Sequence, residues 1–105
     1  MTGYTFLFFI KDKDMGKIST VKYLSDLRTE AVHLESGDRI YTDAPKENEG
    51  KGEVFSPTDL VATSLASCMI TVKGIKARQY NIDMNGATAD FVKKMDANPR
   101  RISVI

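Results

Sequence analysis

The fold is decided by the stretch FSPTDLVATSLASCM, residues 55–69. Ser56, Pro57 and Asp59 stand in the order that favours a helix start, because a serine caps the first turn, a proline fits its first position and a carboxylate can bond back to the cap. No charged residue follows until Lys73. This pattern predicts one long helix over residues 57–79.

The predicted helix is apolar or small on every side. Large side chains recur at spacings of three and four residues along one stripe, and alanine and serine fill much of the remaining surface. A helix of this kind is expected to be central, covered by other parts of the fold or by a second chain. The stripe consists of Val61, Leu65, Cys68, Met69, Val72 and Ile75.

Three strand-like segments precede the helix, at residues 18–24, 28–34 and 38–43. They are rich in β-branched and aromatic residues or alternate apolar with polar residues, as half-buried strands do. Ser36-Gly37 between the last two segments is typical of a hairpin turn. We therefore expect a three-stranded antiparallel sheet, followed by a loop over residues 45–53, which contain no large apolar side chain.

The residues after the helix also predict strands. Segments 82–84 and 87–92 flank Asn85-Gly86, a strong signal for a two-residue hairpin. Asn98-Pro99 predicts a further turn, and 101–105 predicts a strand that is still alternating at the last residue. We expect the rest of the domain to lie beyond this point and to be absent from the chain.

Length and composition indicate a single domain over residues 1–105, and the predicted sheet and long helix make its class α+β. The 105 residues are 42% hydrophobic and 28% charged, with 15 basic and 14 acidic side chains and a net charge of +1. Because the charges are mixed along the chain, neither a nucleic acid nor an anionic membrane is an expected partner. A chain of this size buries a small core, so a homodimer is expected.

The numbers of cysteine and histidine residues limit the disulfides and metal sites that the chain can form. One cysteine cannot form an intramolecular disulfide, and Cys68 with His33 is too small a set for a zinc site, so neither a metal nor a cofactor is expected. The apolar run at residues 4–10 is too short to span a bilayer and lacks the flanks of a signal peptide. We expect a cytoplasmic protein, with this run either a native strand or a cloning or start-site artefact.

A family resemblance appears in the motifs TDAP at 42–45, FSPTDL at 55–60 and SCM at 67–69, extended by NPRRI at 98–102. Together they resemble the OsmC/Ohr family over about residues 19–105, with no counterpart for the first 18. The resemblance implies an intertwined homodimer whose central helices pack at the interface. It also implies a thiol-dependent reductase of organic or inorganic hydroperoxides with a role in oxidative stress defence.

The resemblance also assigns roles to residues. It implies that Cys68 is the peroxidatic cysteine and, by counting back from the TDAP motif, that Arg28 orients and activates the thiolate. The acidic residue near the helix start falls on Thr58 by count, which makes Asp59, one residue later, the candidate carboxylate. The family's resolving cysteine has no equivalent here, so an external thiol would be needed as reductant.

Physical chemistry adds a condition to this assignment. A free cysteine has a pKa of about 8.5 and is only a few per cent thiolate at neutral pH, so a peroxidatic Cys68 needs a cation nearby. Its own helix dipole acts only near the first turn, about 18 Å away at 1.5 Å per residue. Arg28 could supply the charge, and the acidic end of the helix would have to come from a partner chain.

Two alternatives remain open. A lone cysteine in such a helix is most often an unreactive buried hydrophobe, and the fold could then be a non-catalytic module binding a small apolar ligand among Leu65, Met69 and Phe55 at the dimer interface. His33 is expected to be a hydrogen-bonded structural residue. The Gly50-Lys51-Gly52 segment lacks the spacing of a phosphate-binding loop and is expected to be a flexible connection.

Overall fold

A computed structural model of the chain describes residues 16–105. The predicted strand at residues 4–10 lies outside this range. The described part is α+β, with strands β1 to β5 and one long helix, α1. Their bounds are β1 Ser19–Ser25, β2 Arg28–His33, β3 Arg39–Asp43, α1 Pro57–Gln79, β4 Lys94–Asp96 and β5 Arg101–Val104.

Strands β1, β2 and β3 form the predicted antiparallel sheet, in that order. The β2–β3 hairpin closes at Gly37, whose φ of 77° requires the left-handed region that glycine enters without cost. Asp26 and Leu27, both at positive φ, form the tight turn between β1 and β2. The Leu27 amide donates to the Tyr23 hydroxyl at 3.1 Å, which supports this turn.

Residues 45–53 form a turn-rich segment with several backbone hydrogen bonds. They include a short 3-10 helix over Lys46–Asn48. The Gly50 amide donates to the Pro45 carbonyl at 3.0 Å, and the Gly52 amide donates to the Ala44 carbonyl at 3.2 Å. A Cβ on Gly50 would lie 1.8 Å from the Ala44 carbonyl oxygen. Glycine therefore permits a close approach of two backbone segments here.

Helix α1 has the predicted bounds. Its start carries a complete capping box, in which the Ser56 hydroxyl accepts from the Asp59 amide and an Asp59 carboxylate oxygen accepts from the Ser56 amide, each at 3.0 Å. These bonds satisfy two of the amides that any helix start leaves without a partner.

The hairpin predicted around Asn85-Gly86 is wrong in its strands. The turn forms, with Gly86 at φ 84° and the Ala87 amide donating to the Met84 carbonyl at 2.9 Å, but neither flank is a strand. Residues 87–92 instead run beside α1 and line a groove against it. The antiparallel pair is β4 with β5, around the predicted turn at Asn98-Pro99.

The core of the described residues is small. Ala62 and Ala77 are the buried apolar residues among them, and they lie on the same side of α1 as Ala66, Ile70 and Gly74, which are half-buried. Small residues therefore face the rest of the chain. All six side chains of the predicted stripe are exposed, and two of them, Leu65 and Met69, also border a groove beside residues 87–92.

Candidate functional site

Cys68 lies in the middle of α1 and carries a free, exposed thiol. Within this chain it is therefore not the buried hydrophobe that a lone helical cysteine most often is. Its neighbours along the stripe are Leu65, Met69 and Val72, which are 46%, 55% and 59% exposed. A reagent could reach the sulfur of a single chain across an open apolar surface.

Arg28 lies at the start of β2 and makes the strongest charged contacts of the described structure. Its Nε and Nη2 atoms donate to the two carboxylate oxygens of Asp43 at 2.6 and 2.8 Å, and Nη2 also donates to Glu53 Oε1 at 2.6 Å. Asp43 is fully buried and accepts a further bond, at 3.0 Å, from the Glu53 amide. We call Arg28, Asp43 and Glu53 the arginine clamp.

The clamp changes the acid–base properties of its members. The side-chain hydrogen bonds from Arg28 lower the pKa of Asp43 to about 2, and the same bonds, Asp43 first and Glu53 second, raise the pKa of Arg28. Arg28 and Asp43 are therefore charged at neutral pH. The clamp joins the sheet to the end of the 45–53 loop.

The structure does not bring Arg28 and Cys68 together within one chain. The clamp adjoins the helix start, since the Asp43 amide donates to the Phe55 carbonyl at 3.1 Å. Cys68 lies twelve residues after the N-cap Ser56, about 18 Å along α1 at 1.5 Å per residue. A contact between the two would require the Cys68 of a second chain.

Asp59 is fully occupied by local contacts. It completes the capping box and lies 3.3 Å from the Lys93 ammonium. Its pKa is lowered, first by the backbone hydrogen bond from Ser56 and also by Lys93. Thr58, which holds the position implied for a glutamate, has its hydroxyl 3.2 Å from that of Ser56. Both residues lie at the helix start, far from Cys68 of the same chain.

The residues of the alternative ligand site separate into two groups. Leu65 and Met69 line a groove of about 470 Å³ between α1 and residues 87–92, which also contribute to its lining. Phe55 does not line this groove and is 53% exposed at the other end of the helix. His33 is remote from both, with its Nδ1 atom 2.6 Å from the Ser36 hydroxyl in the β2–β3 turn.

Sequence reasoning missed Asp43 and Glu53 as the partners of Arg28. The signal was present for Asp43, because an aspartate at the end of a predicted half-buried strand needs a cation or several donors. Glu53 carried no such signal, since its contact depends on how the loop of residues 45–53 folds back onto the sheet.

Comparisons with known proteins give one informative result. No family model and no curated protein matches this chain. A crystal structure of a proposed osmotic stress induced and detoxification response protein from Psychrobacter arcticus 273-4 is similar, with 61% identity and a TM-score of 0.81. The match covers 83% of this chain and 64% of that protein. The resemblance to the OsmC/Ohr family is thereby confirmed. This OsmC/Ohr-like chain thus spans about two-thirds of the length of its structural neighbour.

The confirmed resemblance fits the described architecture. An antiparallel sheet of three strands, one long helix and a further strand pair follow one another in this order along the chain. This α+β architecture of residues 16–105 is consistent with an OsmC-like fold.

Proposed function

We propose that this chain is a homodimeric, thiol-dependent hydroperoxide reductase of stress defence, acting in the cytoplasm with Cys68 as its peroxidatic residue. The observation that carries the proposal is the free, exposed thiol at the centre of α1 in an OsmC/Ohr-like chain. The detoxification response named for the 61% identical neighbour supports the same class of function.

The proposed reaction uses the thiolate as nucleophile. Cys68 sulfur attacks one peroxide oxygen, the O–O bond breaks, and the leaving alkoxide takes a proton to depart as an alcohol. The cysteine becomes a sulfenic acid, oxidised by two electrons, while the peroxide is reduced. An external thiol then attacks the sulfenic sulfur and releases water, and a second thiol reduces the mixed disulfide and restores Cys68.

The proposed active site requires a second chain. Arg28 and Asp59 lie at one end of α1 and Cys68 at its middle, so the clamp of one protomer can serve only the thiol of its partner. In this arrangement the Nη1 atom of Arg28, which the clamp carboxylates do not use, remains available to a thiolate. We assign Asp59 a supporting role, which is to hold the helix start beside that site.

The homodimer is supported by the open face of α1. Five of its large apolar side chains are roughly half exposed in the single chain, an arrangement that favours a protein partner. By length and composition alone the helix could also cross a membrane. The capping box at Ser56 and the hydroxyl groups at 63, 64 and 67 disfavour a surrounding of lipid. A second copy presents the same apolar stripe in return.

A turnover assay tests the proposal. The full chain is mixed with an organic hydroperoxide and excess dithiothreitol, and hydroperoxide consumption is followed. We expect catalytic consumption by wild type, none by Cys68→Ser, and wild-type rates for Ser67→Ala, a matched change at the adjacent exposed position. Consumption that is unchanged in Cys68→Ser would refute the proposal.

The groove under Leu65 and Met69 supports a second candidate, a non-catalytic module that binds a small apolar ligand. Its volume of about 470 Å³ lies within the usual range for small-molecule sites. This candidate predicts a copurified apolar compound and a Cys68 thiol that stays reduced in the presence of hydroperoxide. Mass spectrometry of the purified protein under native and denaturing conditions distinguishes the two functions.

A further inference from the structure

A separate cleft lies between the β1–β2 turn, the end of β3, the start of α1 and the β4–β5 turn. It has a volume of about 370 Å³ and is lined by residues from all four elements. Neither Cys68 nor the arginine clamp contributes to its lining. The cleft therefore differs from the groove under Leu65 and Met69, and it adjoins the helix start that the proposed peroxidatic site uses.

The hydroxyl groups of this cleft are bonded to nearby groups, and Asn48 contributes the one side-chain amide of the lining. The Thr29 and Thr42 hydroxyls bond at 2.5 Å, the Ser56 hydroxyl lies 3.2 Å from that of Thr58, and the Tyr23 hydroxyl accepts from the Leu27 amide. What remains for a ligand is mostly carbon, with Leu27, Ala44, Pro45 and Pro57 completing the wall.

Arg100 is the one charged residue among those that line the cleft. Within residues 16–105 it forms no ion pair, although the neighbouring Arg101 bonds Asp96 at 3.5 Å. The ion pair between Lys93 and Asp59, at 3.3 Å, joins the segment just before β4 to the helix start. That contact helps to hold the β4–β5 turn, and with it Arg100, beside the cleft.

No carboxylate lines the cleft within residues 16–105. Asp43 is bound by Arg28 and Asp59 by Lys93, so neither of these carboxylates is free to pair with Arg100. The cleft therefore combines a mostly apolar wall with a single arginine, whose planar guanidinium matches a carboxylate through two parallel hydrogen bonds.

We propose that this cleft binds a small organic carboxylate, with its apolar part against Leu27 and Pro57 and its carboxylate on Arg100. The charge of Arg100 selects an anion over a neutral or cationic compound of the same shape. The volume, at the low end for ligand sites, restricts the ligand to a short aliphatic or aromatic acid. This inference does not rest on any reaction of Cys68.

The test uses octanoate, octanol and octylamine as probes of equal length on the full chain, with amide chemical shifts as readout. We expect octanoate to bind about tenfold more tightly than either other probe, since a charged hydrogen-bonded contact has that magnitude. Its shifts should centre on Tyr23, Thr42 and Thr58. Arg100→Gln should abolish the tenfold preference and leave octanol binding unchanged, whereas Arg78→Gln, an exposed arginine outside the cleft, should change neither.

Several outcomes would overturn the inference. They are no binding of octanoate, equal binding of octanoate and octanol, an undiminished preference in Arg100→Gln, or shifts centred on Leu65 and Met69 instead of the cleft. None of these measurements uses a peroxide. The peroxidatic proposal and the carboxylate-binding proposal can therefore be refuted independently of each other.

Discussion

Substitution of Val72 by glutamate should dissociate the proposed homodimer. Val61, Leu65, Met69, Val72 and Ile75 are 46–59% exposed in one chain. Full burial of one such side chain stabilises by about 1.5–3 kcal/mol, so covering the exposed half of all five contributes about 4–7 kcal/mol per chain. Apolar burial on both chains therefore contributes about 8–14 kcal/mol to dimer formation, and association costs about 4–15 kcal/mol.

The gain from apolar burial and the cost of association are close enough that one added charge can decide whether the dimer forms. Glutamate at position 72, the most exposed of the five, removes about 1 kcal/mol of apolar burial and places a carboxylate in the interface. We expect a total loss of about 3 kcal/mol or more, which weakens the dimer at least about 100-fold.

Sedimentation equilibrium at micromolar concentration measures this effect. Ser67→Glu is the matched control, since it adds the same charge at an exposed position on another side of α1. Wild type and the control should sediment as dimers and Val72→Glu as a monomer with a lower melting temperature. A wild-type chain that is a monomer with a cooperative melting transition would refute the reasoning, because the exposed stripe would then need no cover.

Three further outcomes are expected. Ser56→Ala removes the N-cap and should lower the free energy of unfolding by about 1 kcal/mol and the melting temperature by about 4–8 °C, whereas Ser64→Ala, whose hydroxyl bonds only the carbonyl of its own helix turn, should change little. The pKa of Asp43 is lowered to about 2 in the fold. Its contribution to the free energy of unfolding is therefore complete above about pH 4 and is lost as the pH falls toward 2. Urea titrations at a series of pH values should show that the free energy of unfolding falls with pH in wild type and falls less in Asp43→Asn. Glu53→Gln should keep the acid-dependent fall, since the Arg28–Asp43 pair remains, and a complete loss of it would show that Glu53 and not Asp43 governs the clamp.

Local sequence patterns predict much of the fold. The bounds of α1 follow from the capping box and the uncharged run, and the sheet follows from alternation and Gly37. The hairpin predicted at 82–92 is wrong, because alternation cannot distinguish a strand from an unpaired segment that runs beside a helix. Which side of α1 faces its own chain depended on the small residues at 62, 66 and 77, whose contacts lie with distant segments.

The site was less accessible to sequence reasoning than the fold. Cys68 stood out as a lone thiol in a motif, and Arg28 as a cation at a matching position. Glu53 reaches Arg28 only because the 45–53 loop returns to the sheet through backbone contacts, which local patterns do not encode. The cleft at Arg100 joins four elements, so it becomes visible only when the β4–β5 turn is placed beside the start of α1.

The central claim concerns the reactivity of Cys68. A single-turnover measurement mixes the reduced chain with an organic hydroperoxide at neutral pH, without reductant, and follows the loss of free thiol over time. The account predicts oxidation of Cys68 far faster than that of free cysteine under the same conditions, with one equivalent of alcohol released per thiol. A rate equal to that of free cysteine would contradict it.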